Sequence, residues 1–179
     1  MEGPDKKALI KLMEALLFIA GEPLRLADLK EITGLREEEL KDLAEELSAE
    51  YRERGGGVLI SEIAGGWQMH TNPEHSEWAR KLKGGPQGAK LSPAALESLA
   101  IIAYKQPLTK AELEALRSVN SDGVIKTLLE RRLIKVVGRK EAPGKPLLYG
   151  TTREFLIHFG LKDLTELPTL KELEREDAV

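Results

Sequence analysis

Six residues in mid-chain, Lys83-Gly-Gly-Pro-Gln-Gly88, hold three glycines and one proline between two helical patterns. Glycine and proline at that density interrupt helix and strand alike. The 179 residues must therefore build two small cores rather than one large one. Domains this short bury a smaller share of their surface than a single domain of twice the length, so they lean on each other or on a partner.

The two halves repeat one plan. In the first, Leu9, Leu12, Met13, Leu16, Leu17 and Ala20 trace one helical stripe. A short helix follows from Ala27 to Thr33, closed by Gly34, and a longer one starts near Arg36 with Leu40, Leu43, Ala44, Leu47 and Tyr51 on one face. Val58-Leu59-Ile60 and Trp67-Gln68-Met69 read as strands joined at Gly65-Gly66, and Pro73 opens a last short helix. In the second half, Ser92-Pro93 is an N-cap with proline at the first helical position. Thr109 with Glu112 forms a capping box, Asn120 or Ser121 caps a third helix, and Thr151 with Glu154 caps a fourth. Leu133–Gly138 and Leu147–Gly150 read as strands. At a spacing of 84 residues, Pro23/Pro107, Leu24/Leu108, Ala27/Ala111 and Leu29/Leu113 are identical pairs. Three helices followed by a hairpin, twice over, predict an α+β, mainly helical fold of two tandem winged-helix domains, a helix-turn-helix variant. The expected division is a winged-helix domain over 1–83, a linker over 84–90, a second winged-helix domain over 91–162, and a flexible acidic tail over 163–179.

Several functions are disfavoured by composition. The chain has no cysteine, which removes disulfides, thiolate metal sites and a cysteine nucleophile. The start, MEGPDKK, lacks a signal-peptide pattern, and the longest apolar run, Ala15–Ala20, is far too short to span a membrane. The expectation is a cytoplasmic protein with no membrane partner. His70 and His75 stand without a third ligand of fixed geometry and read as surface side chains. The glycine clusters match no phosphate-binding pattern. No catalytic residue, metal or cofactor is expected, and Trp67 and Trp78 are expected to pack the first hairpin against the helix after it.

Winged helices commonly bind DNA through the third helix, so charge must decide. Net charge is −5 over 1–83, +6 over 84–162 and −4 over 163–179. The first domain's third helix, Arg36–Arg54, carries 8 acidic and 4 basic side chains and would repel phosphate. Ser121–Tyr149 carries 7 basic and 3 acidic residues, among them Lys126 on the third helix and Arg139, Lys140 and Lys145 on the wing. These four are candidates for weak, non-specific DNA contact, or else a solvated basic face. The helix opens Ser-Asp-Gly-Val, without the Arg, Asn or Gln that reads base edges. Leu12–Ala20 is apolar nearly all round, more than one small domain can cover. Leu12, Leu16 and Phe18 are thus candidates for a dimer interface, the alternative being a central core helix.

Ala100–Leu113 (AIIAYKQPLTKAEL), Val119–Ile134 (VNSDGVIKTLLERRLI), Val137–Thr152 (VGRKEAPGKPLLYGTT) and Phe155–Pro168 (FLIHFGLKDLTELP) together resemble the bacterial segregation and condensation protein B family. Glu14–Leu24 (EALLFIAGEPL) is similar too, and the resemblance runs in order over residues 8 to 168. It implies a non-catalytic scaffold subunit of the bacterial condensin-like complex. That subunit forms a homodimer chiefly through the N-terminal domain. It binds the middle region of the kleisin subunit (segregation and condensation protein A type) and, through the kleisin, the SMC ATPase, serving chromosome condensation and segregation on the nucleoid. On that footing, apolar side chains surplus to a small core, Phe155, Phe159, Leu161 and Leu164, are candidates for the partner surface. Phe155 and Phe159, four apart, would otherwise seat the last helix on its own domain. The rival reading is a winged-helix transcription regulator using the basic wing.

Overall fold

The computed structural model describes residues 5–83, 90–169 and 172. Two compact units emerge, one formed by residues 5–83 together with 160–169, the other by residues 90–159.

In the first unit α1 spans Lys6–Ile19, α2 Leu26–Thr33 and α3 Glu37–Glu53, followed by strands β1 (Val58–Ile63) and β2 (Gly66–Thr71), a 3-10 turn at Pro73–His75 and helix α4 (Ser76–Leu82). Asp5 caps α1 by accepting from the Lys7 amide at 3.2 Å. Gly34 ends α2 in the left-handed conformation at φ +73° and donates its N–H to the Lys30 carbonyl, the closure that glycine makes at low cost. Glu37, Glu38 and Glu39 occupy the first turn of α3, where the helix dipole favours them. The core joins Met13 and Leu17 of α1, Leu29 of α2, the stripe Leu40, Leu43, Ala44, Leu47 and Tyr51 of α3, and Ile60 and Trp67 of the hairpin. Full burial of each such leucine contributes roughly 1.5–3 kcal/mol. Buried Ser48 is satisfied by donating to the Ile60 carbonyl at 2.7 Å.

The hairpin turn is Ala64-Gly65, both left-handed at φ +51° and +68°, in register Ile63↔Gly66. It lies one residue earlier than the Gly65-Gly66 turn read from sequence. Two consecutive left-handed residues give the two-residue turn whose twist matches the strands. Gly66 has another job: Leu24 pairs with Trp67 in a short bridge, and the close approach of that backbone leaves no room for a β-carbon. Trp67 is buried as expected, but Trp78 is 67% exposed, with Lys81 over its ring, and does not pack the hairpin.

The second unit runs α5 (Pro93–Lys105), β3 (Leu108–Thr109), α6 (Lys110–Arg117), α7 (Asp122–Glu130), β4 (Ile134–Arg139), β5 (Leu147–Thr151) and α8 (Arg153–Phe159). Its sheet has the order β3-β5-β4, antiparallel throughout. Ser92 accepts from the Ala95 amide at 3.2 Å, and Thr109 and Glu112 exchange the reciprocal bonds of a capping box. Ser121 stands at the N-cap of α7 without a side-chain cap bond, buried and donating its amide to Glu114, while Asn120 just before it accepts from the Asp122 amide. Thr152, not Thr151, caps α8: it accepts from the Phe155 amide at 3.1 Å, whereas Thr151 belongs to β5 and bonds Gln106. The core comprises Leu99 and Ile102 of α5, Leu113, Ile125, Leu128, Ile134 and Phe155.

The chain leaves this unit at Gly160, φ +67°, and the next residues pack on the first unit's hairpin. The Ala64 amide donates to the Leu161 carbonyl at 2.8 Å and the Gly65 amide to the Lys162 carbonyl at 3.1 Å. Residues 160–162 therefore go with the first unit, where the sequence boundary assigned them to the second. Residues 163–169, read from sequence as a flexible tail, continue through a 3-10 turn at Leu164–Glu166. The expected linker lies, apart from Lys90, outside the described residues, as does the rest of the tail apart from Glu172.

Candidate functional site

Among the described residues no group of three or more histidine or acidic side chains could hold a metal ion. His70 faces Ser61 across the hairpin, ring Nε2 to Oγ at 3.0 Å. No described helix is long and apolar enough to cross a membrane. What the structure offers instead is surface.

Helix α1 buries Met13 and Leu17, with Leu16 packed partly against the same core. The opposite face leaves Leu12 44% and Phe18 76% exposed, with Ile19 beside them. Of the three dimer candidates, Leu12 and Phe18 thus share an open apolar face and Leu16 lies at its inner margin. A shallow groove of about 260 Å³ adjoins them, lined by Lys11, Glu14, Ala15, Phe18, Tyr51 and Met69. At its floor the Tyr51 hydroxyl donates to Glu14, and the Arg54 guanidinium sits 4.3 Å above the ring centre. The bond to Glu14, then burial, holds the Tyr51 phenol above its ordinary pKa. That bond ties α1 to α3.

The four partner-surface candidates divide. Phe155 is 3% exposed and belongs to the core of the second unit, so it has no surface to present. Phe159 is 44% exposed, its ring 4.9 Å from that of Phe155 and 5.0 Å from that of His158. Leu161 and Leu164, partly exposed, lie in the first unit instead. The sequence reading missed a second apolar groove, of about 400 Å³, lined by Pro107, Leu108, Ala115 and Leu116 between Lys105 and Glu112. Its one available signal was Leu116, three residues past core Leu113 and on the flank of the buried stripe.

The basic candidates are largely engaged within the fold. Lys140 pairs with Glu112, and that partner together with the Thr109 amide and hydroxyl lowers the Glu112 carboxyl to about 2. Arg139 donates to the Lys145 carbonyl at 3.1 Å, bracing the wing, and Lys126 lies 3.9 Å from Glu130. Lys145 itself stands at φ +41° in the wing turn. At the start of α7, where a DNA-reading helix meets the duplex, stands the acidic Asp122, paired with Lys110; that partner and then Asn120 hold it below the ordinary aspartate range.

The fold defines a tandem winged-helix protein that, among the described residues, exposes apolar side chains on α1, α6 and α8. The chain belongs to the segregation and condensation complex subunit ScpB family, whose model matches residues 11–170. It is 49% identical over 172 residues to segregation and condensation protein B of Syntrophotalea carbinolica, covering 96% of this chain and 85% of that one. The protein of the same name from Desulforamulus reducens is 49% identical over 160 residues, 89% of this chain and 88% of that one. Among solved structures, ScpB from Mycobacterium tuberculosis is 33% identical with a TM-score of 0.44, over 89% of this chain and 99% of that one. A crystal structure of a dimer of the ScpB N-terminal domain complexed with ScpA peptide is 32% identical with a TM-score of 0.40, over 42% of this chain and 95% of that one.

Proposed function

We propose that this chain is a non-catalytic scaffold subunit of a chromosome segregation and condensation complex. It dimerises through the first winged-helix unit and binds the middle region of an ScpA-type kleisin, which bridges it to the SMC ATPase. The reading places it in the cytoplasm, on the nucleoid. Family membership supports the class of function. The observation that carries the dimer is the α1 face: Leu12, Phe18 and Ile19 expose apolar surface on a helix whose other side is already in the core. A small soluble unit conceals such a patch against another surface. In one solved ScpB structure a dimer of the N-terminal domain is complexed with ScpA peptide. The second unit would present Phe159 and the groove around Leu116 to an apolar kleisin segment that orders on binding.

Calorimetric titration with the kleisin of the same organism tests the reading, with a random duplex as control. Saturable heat with kleisin at about one per dimer, and little with DNA, is the expected result; silence with kleisin would overturn it. Retained duplex binding at ~200 mM salt would point to a regulator acting through the basic wing instead.

A further inference from the structure

A two-residue hairpin turn leaves its central amides outside the ladder, where they ordinarily face water. Here they do not. The Ala64 and Gly65 amides donate to the carbonyls of Leu161 and Lys162, nearly a hundred residues further along the chain. The ammonium of Lys162 reaches the Glu62 carboxylate at 2.8 Å, with both side chains partly shielded, and that contact holds the lysine above its ordinary pKa. The docked segment carries a turn of its own. Its own Lys162 amide donates to Glu166 at 2.6 Å, and Asp163 accepts from the amide and the hydroxyl of Thr165 at 2.7 and 2.5 Å. An internal turn of this kind lowers the entropy lost on docking. Gly160, left-handed at φ +67°, turns the chain out of α8 and into this segment.

We propose that residues 161–167 are a releasable clasp on the tip of the first unit's hairpin, hinged at Gly160. Closed, it makes residues 161–167 part of the first unit. Open, the turn amides return to water. The contacts are few, peripheral and partly exposed, which places the clasp at the low-stability end of the molecule, able to open without unfolding the core. This inference does not depend on the kleisin reading and is tested without any partner.

Amide hydrogen exchange on the full chain reads the clasp directly at Ala64 and Gly65. In the unaltered protein both amides are expected to exchange about tenfold or more slowly than an open turn. Gly160→Val forces a β-branched residue into a left-handed backbone, which it resists, whereas Gly160→Asn is tolerated there. Gly160→Val and Lys162→Glu should restore open-turn exchange at Ala64 and Gly65, Gly160→Asn should keep the protection, and core amides such as those of Leu43 and Leu47 inside α3 should stay slow in all three. Three results would each overturn the proposal. The first is fast exchange at Ala64 and Gly65 in the unaltered chain. The second is no difference between Gly160→Val and Gly160→Asn. The third is loss of protection throughout the first unit, which would make the segment part of its core rather than a clasp.

Discussion

Gly66 lies so close beneath Leu24 that a β-carbon on it would stand 2.8 Å from the Leu24 carbonyl oxygen. The backbone of Leu24 is pinned there by two hydrogen bonds with Trp67, at 2.9 and 2.8 Å. Gly150 is its counterpart 84 residues on, and there the obstacle is the side-chain oxygen of Gln106, also at 2.8 Å, with Val137 beside it. One obstacle is fixed backbone; the other is the end of a side chain that can yield at the expense of its hydrogen bonds to Thr151.

Gly66→Ala should therefore cost about 1–3 kcal/mol, as overpacking against an unyielding neighbour does, and Gly150→Ala under about 1.5. Urea unfolding measures the first by tryptophan fluorescence, because Trp67 and Trp78 both lie in the first unit. Hydrogen exchange in α5 and β5 measures the second. Equal losses at the two sites would contradict the distinction between backbone and side-chain obstacles.

Glu112 gives the second unit a pH dependence. Its carboxyl, held by Lys140 and by Thr109, titrates near about 2 in the folded chain against an ordinary 4.5. A depressed folded pKa means the unfolded chain takes up protons first on acidification. The stabilisation is thus present in full above the ordinary carboxylate range, and it fades as pH falls from there toward about 2. Glu112→Gln should lower the stability of the second unit at pH 7 and converge on the unaltered protein at the acid end. Parallel stability curves at both ends would show that the carboxylate is not what holds Thr109 and the wing together.

Phe155 and Phe159 touch, yet truncating them should have different consequences. Phe155→Ala empties a site that is 3% exposed and should cost about 3–5 kcal/mol, enough to unfold a small unit. Phe159→Ala removes a ring already 44% exposed, should keep the circular dichroism of the folded protein, and should weaken kleisin binding. Unchanged affinity, or a lost fold, would remove Phe159 from the partner surface.

Where local chemistry decides, the sequence was readable. Ser92-Pro93 and the Thr109–Glu112 box need only neighbours three residues away, and the helix stripes of α1 and α3 follow from periodicity. The errors fall where distant chain intervenes. Gly66 looked like a turn glycine because the approach of Leu24, 42 residues earlier, leaves no local trace. Thr151 and Thr152 are adjacent threonines, and it is Gln106 that claims the first for the sheet and leaves the second to cap α8. Leu161 and Lys162 read as the close of the second domain because their docking rests on their backbone carbonyls meeting turn amides, and a carbonyl carries no residue-specific signature. Phe155 and Phe159 both belong to an apolar helix, and only the packed unit separates the core ring from the outer one.

The α1 face yields the sharpest test of assembly. Leu12 and Phe18 project from the side of the helix opposite Met13 and Leu17, so a charge placed on either meets water in an isolated unit. Exposed substitutions of this kind leave stability within about 0.5 kcal/mol. In a dimer closed over that face, the same charge would be buried without a partner, which costs far more than the apolar contact it replaces. Leu12→Glu with Phe18→Glu should therefore convert the protein from dimer to monomer in sedimentation equilibrium, with its unfolding midpoint measured by tryptophan fluorescence close to that of the unaltered chain after correction for subunit concentration. Leu17→Ala is the contrasting variant: it cuts a fully buried side chain and should lose about 2–5 kcal/mol through the core. A dimer that survives both glutamates would place the interface elsewhere and return the α1 face to solvent.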